Sequence, residues 1–282
     1  MSVQYAERMS LRSKNEMTVV EARNVSKIFE GEKRVPALDN VSFNVGVDEF
    51  LCIVGPSGCG KSTLLRIIAG LEKPTSGEIL FHEQPITGPT PKITMIFQTF
   101  GLLPWKTVLE NIELPLEIQG VEAESRRETA MKFIREVGLE GFENAYPHDL
   151  SGGMKQRVGT ARALAVKPEV LLMDEPFSFL DELTAMTLRN EVLDIWNDPN
   201  LPTNTFIMVS HNVEEAVFMA DRVLVMSPRP GRIVGNVDIN IPRPRIRQFR
   251  SPAFFEYCDK VIALLEDKGL DNTLVHKKKR RP

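Results

Sequence analysis

The chain has 282 residues, 42% of them hydrophobic and 26% charged, with a net charge of −3 at pH 7. That length can bury a real core in one large domain or one domain with lobes, and the mild negative charge argues against a nucleic-acid binder relying on a basic surface. No run approaches the roughly 18 apolar residues of a membrane-spanning helix, no apolar signal segment opens the chain, and Cys52, Cys59 and Cys258 are too scattered for a disulfide scaffold or a zinc site.

Residues 1–16 are polar, mixed in charge, and read as a loose tail. From Val19 apolar and polar residues alternate (Val19, Glu21, Arg23, Val25, then Val41, Phe43, Val45), which predicts half-buried antiparallel strands. The turn-rich stretch at residues 30–33 separates the two runs. Phe50–Val54 is fully apolar, as are Val170–Met173 and Phe206–Val209. Short apolar runs followed by a polar loop and a helical pattern predict parallel strands covered on both faces.

Immediately after the first such run comes Gly55-Pro56-Ser57-Gly58-Cys59-Gly60-Lys61-Ser62, which fits G-x-x-x-x-G-K-[ST] and leads through Thr63 into a helical pattern. Glycines let the backbone curl so that its N–H groups point at an anion, and the helix N-terminus adds favourable partial charge. Lys61 would meet the outer phosphates of a nucleoside triphosphate, and the Ser62 hydroxyl would ligate Mg²⁺. Cys59 reads as a small loop residue that would make the protein sensitive to thiol reagents.

Between about residues 99 and 165 the texture changes. Pro104, Pro115 and Pro147 bracket helical stretches such as Glu124–Val137, where Ala130, Ile134 and Val137 share a face. This predicts a helical insertion in an α/β domain. At its end, Leu150-Ser151-Gly152-Gly153-Met154-Lys155-Gln156-Arg157 opens the expected helix Met154–Ala165, with Ser151 as a natural N-cap and two glycines that allow close approach to an anion.

Asp174 and Glu175 follow the second apolar run, so they lie at the carboxyl end of a buried strand, where open parallel sheets bind ligands. Asp174 could hold Mg²⁺, directly or through water, since hard cations prefer oxygen. Glu175, one residue on, could face the γ-phosphate and polarise an attacking water. Strands are expected again at Arg222–Met226 and Arg232–Ile241, then a helix over Pro252–Asp267 and the basic run 276–282. That run is either a partner for acidic lipid headgroups or a disordered solvated end, the reading preferred here.

With these segments in order, residues 18–240 resemble the ABC ATPases, whose signature motif Leu150–Gly153 matches. The resemblance implies a P-loop NTPase core with a mixed parallel sheet, an antiparallel β subdomain and an α-helical subdomain insertion. Its expected divisions are a tail (1–16), an ATPase domain (17–250) with the helical subdomain at about 99–165, and a C-terminal helix with basic tail (251–282). Met154 stands where many members have glutamine, and Gln156 keeps the polar position two residues on.

Residue by residue, the resemblance implies that Gln98 touches Mg²⁺ and senses a membrane partner. It implies that His211 contacts the γ-phosphate and that Asp181 connects two sites across a dimer. Phe29 would stack on adenine. Glu175, His211 and Lys61 would be catalytic; Ser62, Gln98 and Asp174 would hold the metal. ATP would touch Phe29, Gly55 through Thr63, and Gln98, with Ser151, Gly152, Gly153 and Gln156 added by a second copy.

The same resemblance implies a homodimer on the cytoplasmic face of a membrane, working with two transmembrane permease subunits and an extracytoplasmic substrate-binding protein, without nucleic acid. Leu102-Leu103-Pro104-Trp105, Ser227–Ile233 and Ile241–Arg245 resemble the nitrate, sulfonate and taurine import branch. A small anion is therefore the expected cargo. The alternatives are another small solute, such as a pyrimidine precursor, or a soluble ABC ATPase of DNA repair. The latter usually needs a long coiled coil between phosphate loop and signature, and only residues 63–149 lie there.

Overall fold

Strand β3 (Phe50–Val54) is buried at all five positions, and its alternate side chains face two different cores. Phe50, Cys52 and Val54 join one apolar cluster, while Leu51 and Ile53 join the other. Strands β7 (Val170–Asp174) and β8 (Thr205–Ser210) divide in the same way. Double-sided burial is the reason these runs are continuously apolar rather than alternating.

In this computed structural model the described residues are 17–199, 201–245, 249 and 251–277, with side chains of the last helix described through Glu266. The expected tail at 1–16 and the end of the basic run, 278–282, lie outside the described residues. A four-stranded antiparallel sheet has the order β2-β1-β4-β5, with β1 at Thr18–Phe29, β2 at Val35–Gly46, β4 at Ser76–Phe81 and β5 at Gln84–Pro85. A six-stranded sheet has the order β10-β9-β3-β8-β7-β6, adding β6 (Ile93–Ile96), β9 (Arg222–Met226) and β10 (Ile233–Asp238). Its pairings are parallel except that β10 runs antiparallel to β9.

One core lies between the antiparallel sheet, helix α1 (Lys61–Ile68) and one face of the large sheet. The other lies between the opposite face and the remaining helices. Of these, α2 (Val108–Ile118), α3 (Ala123–Glu136) and α4 (Gly152–Ala165) form the helical insertion. They are followed by α5 (Glu182–Asn197), α6 (Val213–Met219) and α7 (Pro252–Lys277).

Several elements differ from expectation. In β1 the buried side chains are Val19, Val20, Ala22 and Val25 rather than every second residue from Val19. The register against β2 shifts between Ala22 and Val25, where Asn24 has φ 50°, and this irregularity returns Val25 to the core. Pro115 lies inside α2 instead of bounding it. A capping box at Thr107 and Glu110 starts that helix firmly, and its buried face of Val108, Leu109, Ile112 and Leu116 holds it despite the missing N–H. Strand β10 is shorter than the expected 232–241, and α7 extends past residue 267.

The segment after β10 is fastened by two arginines. Arg245, 3% exposed, donates from Nε to the Ile241 carbonyl (3.0 Å), from Nη1 to Val217 (2.8 Å) and Ala220 (2.6 Å), and from Nη2 to Ile239 (3.1 Å). Its charge therefore sits on the last carbonyls of α6, where a cation is favoured. Arg243 bonds Asp221 (3.0 Å) and the Met219 carbonyl and lies 4.6 Å from the Trp196 ring centroid. Phe254, Cys258 and Val261 of α7 then enter the helical-side core.

Replacing Arg245 by Met keeps much of the stem but strips the carbonyls of two chain segments, 217–220 and 239–241, of their donor. The loss expected in urea denaturation is about 3 kcal/mol, the scale of buried acceptors left unpaired; a loss below about 0.5 kcal/mol would show that these carbonyls find other donors.

Candidate functional site

The ends of β3, β7 and β8 lie side by side, with Val54 opposite Ser210 and Asp174 opposite Val209. Whatever follows each strand is thereby delivered to one edge of the sheet. After β3 comes the loop from Gly55 to Gly60, whose last residue has φ 111° and packs so closely that a Cβ would stand 2.7 Å from the Ala37 carbonyl oxygen. Only glycine fits that conformation and that space. Lys61 is 4% exposed, and its Nζ donates to the carbonyls of Gly55 (2.8 Å) and Pro56 (3.1 Å).

Ser62 Oγ donates to Asp174 Oδ1 at 2.7 Å. Burial pushes the Asp174 carboxyl above its ordinary range, and the Ser62 hydrogen bond opposes that shift. The two oxygens form a hard-ligand pair suited to a divalent cation shared with phosphates and water. Together with the N-terminus of α1 and Lys61, they fit magnesium and a polyphosphate.

Glu175 turns sharply out of β7 with φ 45°, its N–H donating to the Val209 carbonyl (3.0 Å) and its own carbonyl accepting from Ser178 Oγ (2.6 Å). Its carboxylate is approached from three elements. Gln98 Nε2 donates at 3.2 Å, His211 Nδ1 lies at 3.0 Å, and Lys61 Nζ at 3.8 Å. The turn that carries His211 is itself braced. Ser210 Oγ donates to Glu215 Oε2 (2.5 Å) and accepts from the Asn212 N–H (3.0 Å). Glu215 is ion-paired with the buried Arg189, and Arg189 reaches on to Glu182 at the start of α5.

A cleft of about 240 Å³ is lined by Phe29, Val35, Ala37, Ser57, Gly58, Gly60, Lys61, Ser62, Thr63, Gln98, Glu175 and Arg229. Phe29 is 39% exposed, with Lys27 Nζ 5.0 Å from its ring centroid. Arg229, Val35 and Ala37 are lining residues that the sequence reading missed; Arg229 drew notice there only as part of a branch-like segment.

Ser151, Gly152, Gly153 and Gln156 do not line this cleft. Ser151 caps α4 by accepting from the Met154 N–H (3.3 Å), and a Cβ on Gly153 would lie 2.7 Å from Thr184 Cγ2, so α4 starts hard against the beginning of α5. Gln156 is 2% exposed and lines a separate cavity of about 180 Å³ with Arg157, Phe177 and Glu191. Asp181 caps α5 through Thr184, whose hydrogen bonds hold its carboxyl below the ordinary range.

The sequence matches the ABC transporter family over residues 38–178. The chain belongs to the ABC transporter family. This ABC ATPase is 49% identical over 252 residues to an ABC transporter ATP-binding protein of Methanocaldococcus jannaschii, covering 89% of this chain and 92% of that one. It is 44% identical to the nitrate import ATP-binding protein of Synechocystis (90% and 97% covered) and 43% identical to the taurine import ATP-binding protein of Yersinia pestis (77% and 84% covered). Among solved structures it is similar to the dimeric post-hydrolysis state of an ATP-binding cassette bound to ADP and phosphate. That comparison has a TM-score of 0.69 at 34% identity and covers 79% of this chain and all of that one.

The expected thiol sensitivity at Cys59 meets a physical obstacle: Cys59 is 1% exposed and burial pushes its thiol up. Cys52 is shifted well upward by burial, and Cys258 is pushed up to about 11, burial foremost. A raised thiol pKa leaves less thiolate at any given pH. Labelling by Ellman's reagent at pH 8 is therefore expected to be slow in the folded protein and complete in urea. Rapid modification of Cys59 without unfolding would contradict this.

Proposed function

We propose that this ABC ATPase is the energy-coupling subunit of an importer, hydrolysing Mg²⁺-ATP at the cleft between the phosphate loop and Glu175. The reading is carried by one arrangement: a single carboxylate, Glu175, within reach of Gln98, His211 and Lys61 beside the Ser62–Asp174 oxygen pair. Lys61 and the loop N–H groups bind the phosphates, Phe29 meets the adenine, and Ser62, Asp174 and Gln98 hold Mg²⁺. The bound cation supplies neutralisation of developing phosphate charge. Glu175 orients a water and accepts its proton as the oxygen attacks the γ-phosphorus and the bond to the bridging oxygen breaks, releasing ADP and phosphate. His211 keeps one ring nitrogen on Glu175, which leaves the other for the γ-phosphate.

The second anion-binding helix start, at Ser151–Gly153, serves the partner's nucleotide. Two copies facing each other would each complete the other's site, a reading supported by the dimeric state of the solved cassettes to which the chain is similar. Hydrolysis would then loosen the dimer, a two-state switch biased by bound phosphate. Among the described residues no helix is long and apolar enough to cross a membrane. Separate transmembrane permease subunits, fed by a binding protein, would receive the motion through the helical insertion of the ATPase docked on their cytoplasmic face, where Trp105 is 70% exposed. The nitrate and taurine import proteins among the relatives support a small-anion cargo.

Glu175→Gln keeps the side chain's size and removes its basicity. Turnover should fall about 100-fold or more, the scale of a lost general base, while ATP binding persists and an ATP-bound dimer accumulates in gel filtration. Near-normal turnover would remove Glu175 from the mechanism, and lone protomers at saturating ATP would remove the dimer. For cargo, a deletion strain should lose growth on nitrate, taurine or an alkylsulfonate as sole nitrogen or sulfur source; unimpaired growth on all three would reject the small-anion assignment.

A further inference from the structure

The turn between β9 and β10 reaches across to the phosphate loop. The Gly231 N–H donates to the Ala37 carbonyl (2.9 Å), and the Gly231 carbonyl accepts from the Asp39 N–H (3.0 Å), pinning the turn to β2. A Cβ on Gly231 would overlap the Cys59 carbonyl oxygen, so the two loops touch backbone to backbone. Ser227 closes the turn, accepting at Oγ from the Arg232 N–H (3.0 Å), and Arg232 Nε bonds Asp39 Oδ2 (2.8 Å). Arg229 stands between Pro228 and Pro230, whose rings restrict the backbone on both sides.

From this braced position Arg229 lines the cleft, and its Nε donates to the Gly58 carbonyl at 3.0 Å. Lys61 and Arg229 are the two cations among the cleft's lining residues, against the single carboxylate Glu175. Lys61 is buried under the loop and Arg229 is exposed. The Gly58 bond takes the Nε–H, tethers the guanidinium to the loop, and leaves the terminal nitrogens to donate elsewhere. A guanidinium held in this way matches the geometry of phosphate oxygens, and a prearranged side chain has less freedom to lose when a ligand arrives.

We propose that Arg229 is a nucleotide-contacting residue whose guanidinium donates to the polyphosphate alongside Lys61. The proposal rests on the reading of the cleft as the nucleotide site. It extends that site from the phosphate loop onto the β9–β10 turn, and it assigns Arg229 to binding rather than to the water attack at Glu175.

The test is steady-state ATPase kinetics with Arg229→Ala and Arg229→Lys, alongside ADP binding by calorimetry at low and high salt. For Arg229→Ala, KM for ATP and Kd for ADP should both rise about tenfold, as for loss of a charge-assisted hydrogen bond. The kcat should change much less, and the deficit should shrink as salt screens the parent's advantage. Arg229→Lys should restore part of the affinity, and it serves in place of Arg229→Ala should that variant fail to fold. Unchanged KM and Kd, or a loss confined to kcat or to thermal stability, would overturn the proposal. Lys61→Ala separates the two ideas. If it binds ATP like the parent, the reading of the cleft fails. If it loses ATP while Arg229→Ala binds normally, only the role of Arg229 falls.

Discussion

The parallel register of β3, β8 and β7 is the constraint on which the rest of the site depends. It sets Val54 against Ser210 and Asp174 against Val209, so three segments that are separate in the chain, β3 more than a hundred residues before the other two, leave the sheet together. The phosphate loop, Asp174–Glu175 and His211 meet without any of them being adjacent in sequence. Because each strand packs apolar side chains on both faces, a slip of one residue would move every side chain to the opposite core. The placement of the candidate site residues is thus set first by the hydrophobic packing beneath them, on which their polar contacts build.

What the sequence made legible was local. The phosphate loop, the acidic strand end and the capped start of α4 each announce themselves within about eight residues, because each combines a strand, a turn and a helix start with defined residue needs. The β3, β7 and β8 strands were equally plain, since apolar runs of that length have few other uses in a chain of this kind. The residues that escaped are those whose meaning comes from remote partners. Arg229 is 171 positions from the carbonyl it binds, and Arg189 meets Glu215 and Glu182 through packing that no spacing rule displays. Pro115 and the Asn24 irregularity escaped for a related reason, as tertiary packing overrode the local expectation of a break or of a strict alternation.

The distribution of functional groups over the surface of one chain is itself informative. The cleft and the start of α4 are separate places, with Ser151, Gly152 and Gly153 absent from the cleft's lining. Gly153 meets Thr184, beside Asp181 at the start of α5. Movement of the helical insertion therefore has to carry α5 with it or break that contact. The Arg189 bridge to Glu182 and Glu215 places the His211 turn on the same mechanical path. A buried ion pair is costly to separate, which favours motion of these parts as one block.

The two arginine fasteners after β10 have a consequence for how the chain can be recombined. Arg245 gathers carbonyls from both ends of the Val217–Ile241 stretch, so it acts as a seam in the ATPase body. Material spliced in upstream of this seam would separate α6 from its fastener and disturb the histidine turn that α6 begins beside. A graft joined downstream would also have to replace the apolar side chains that Phe254, Cys258 and Val261 place in the helical-side core, so the body closes with α7 rather than at Arg245.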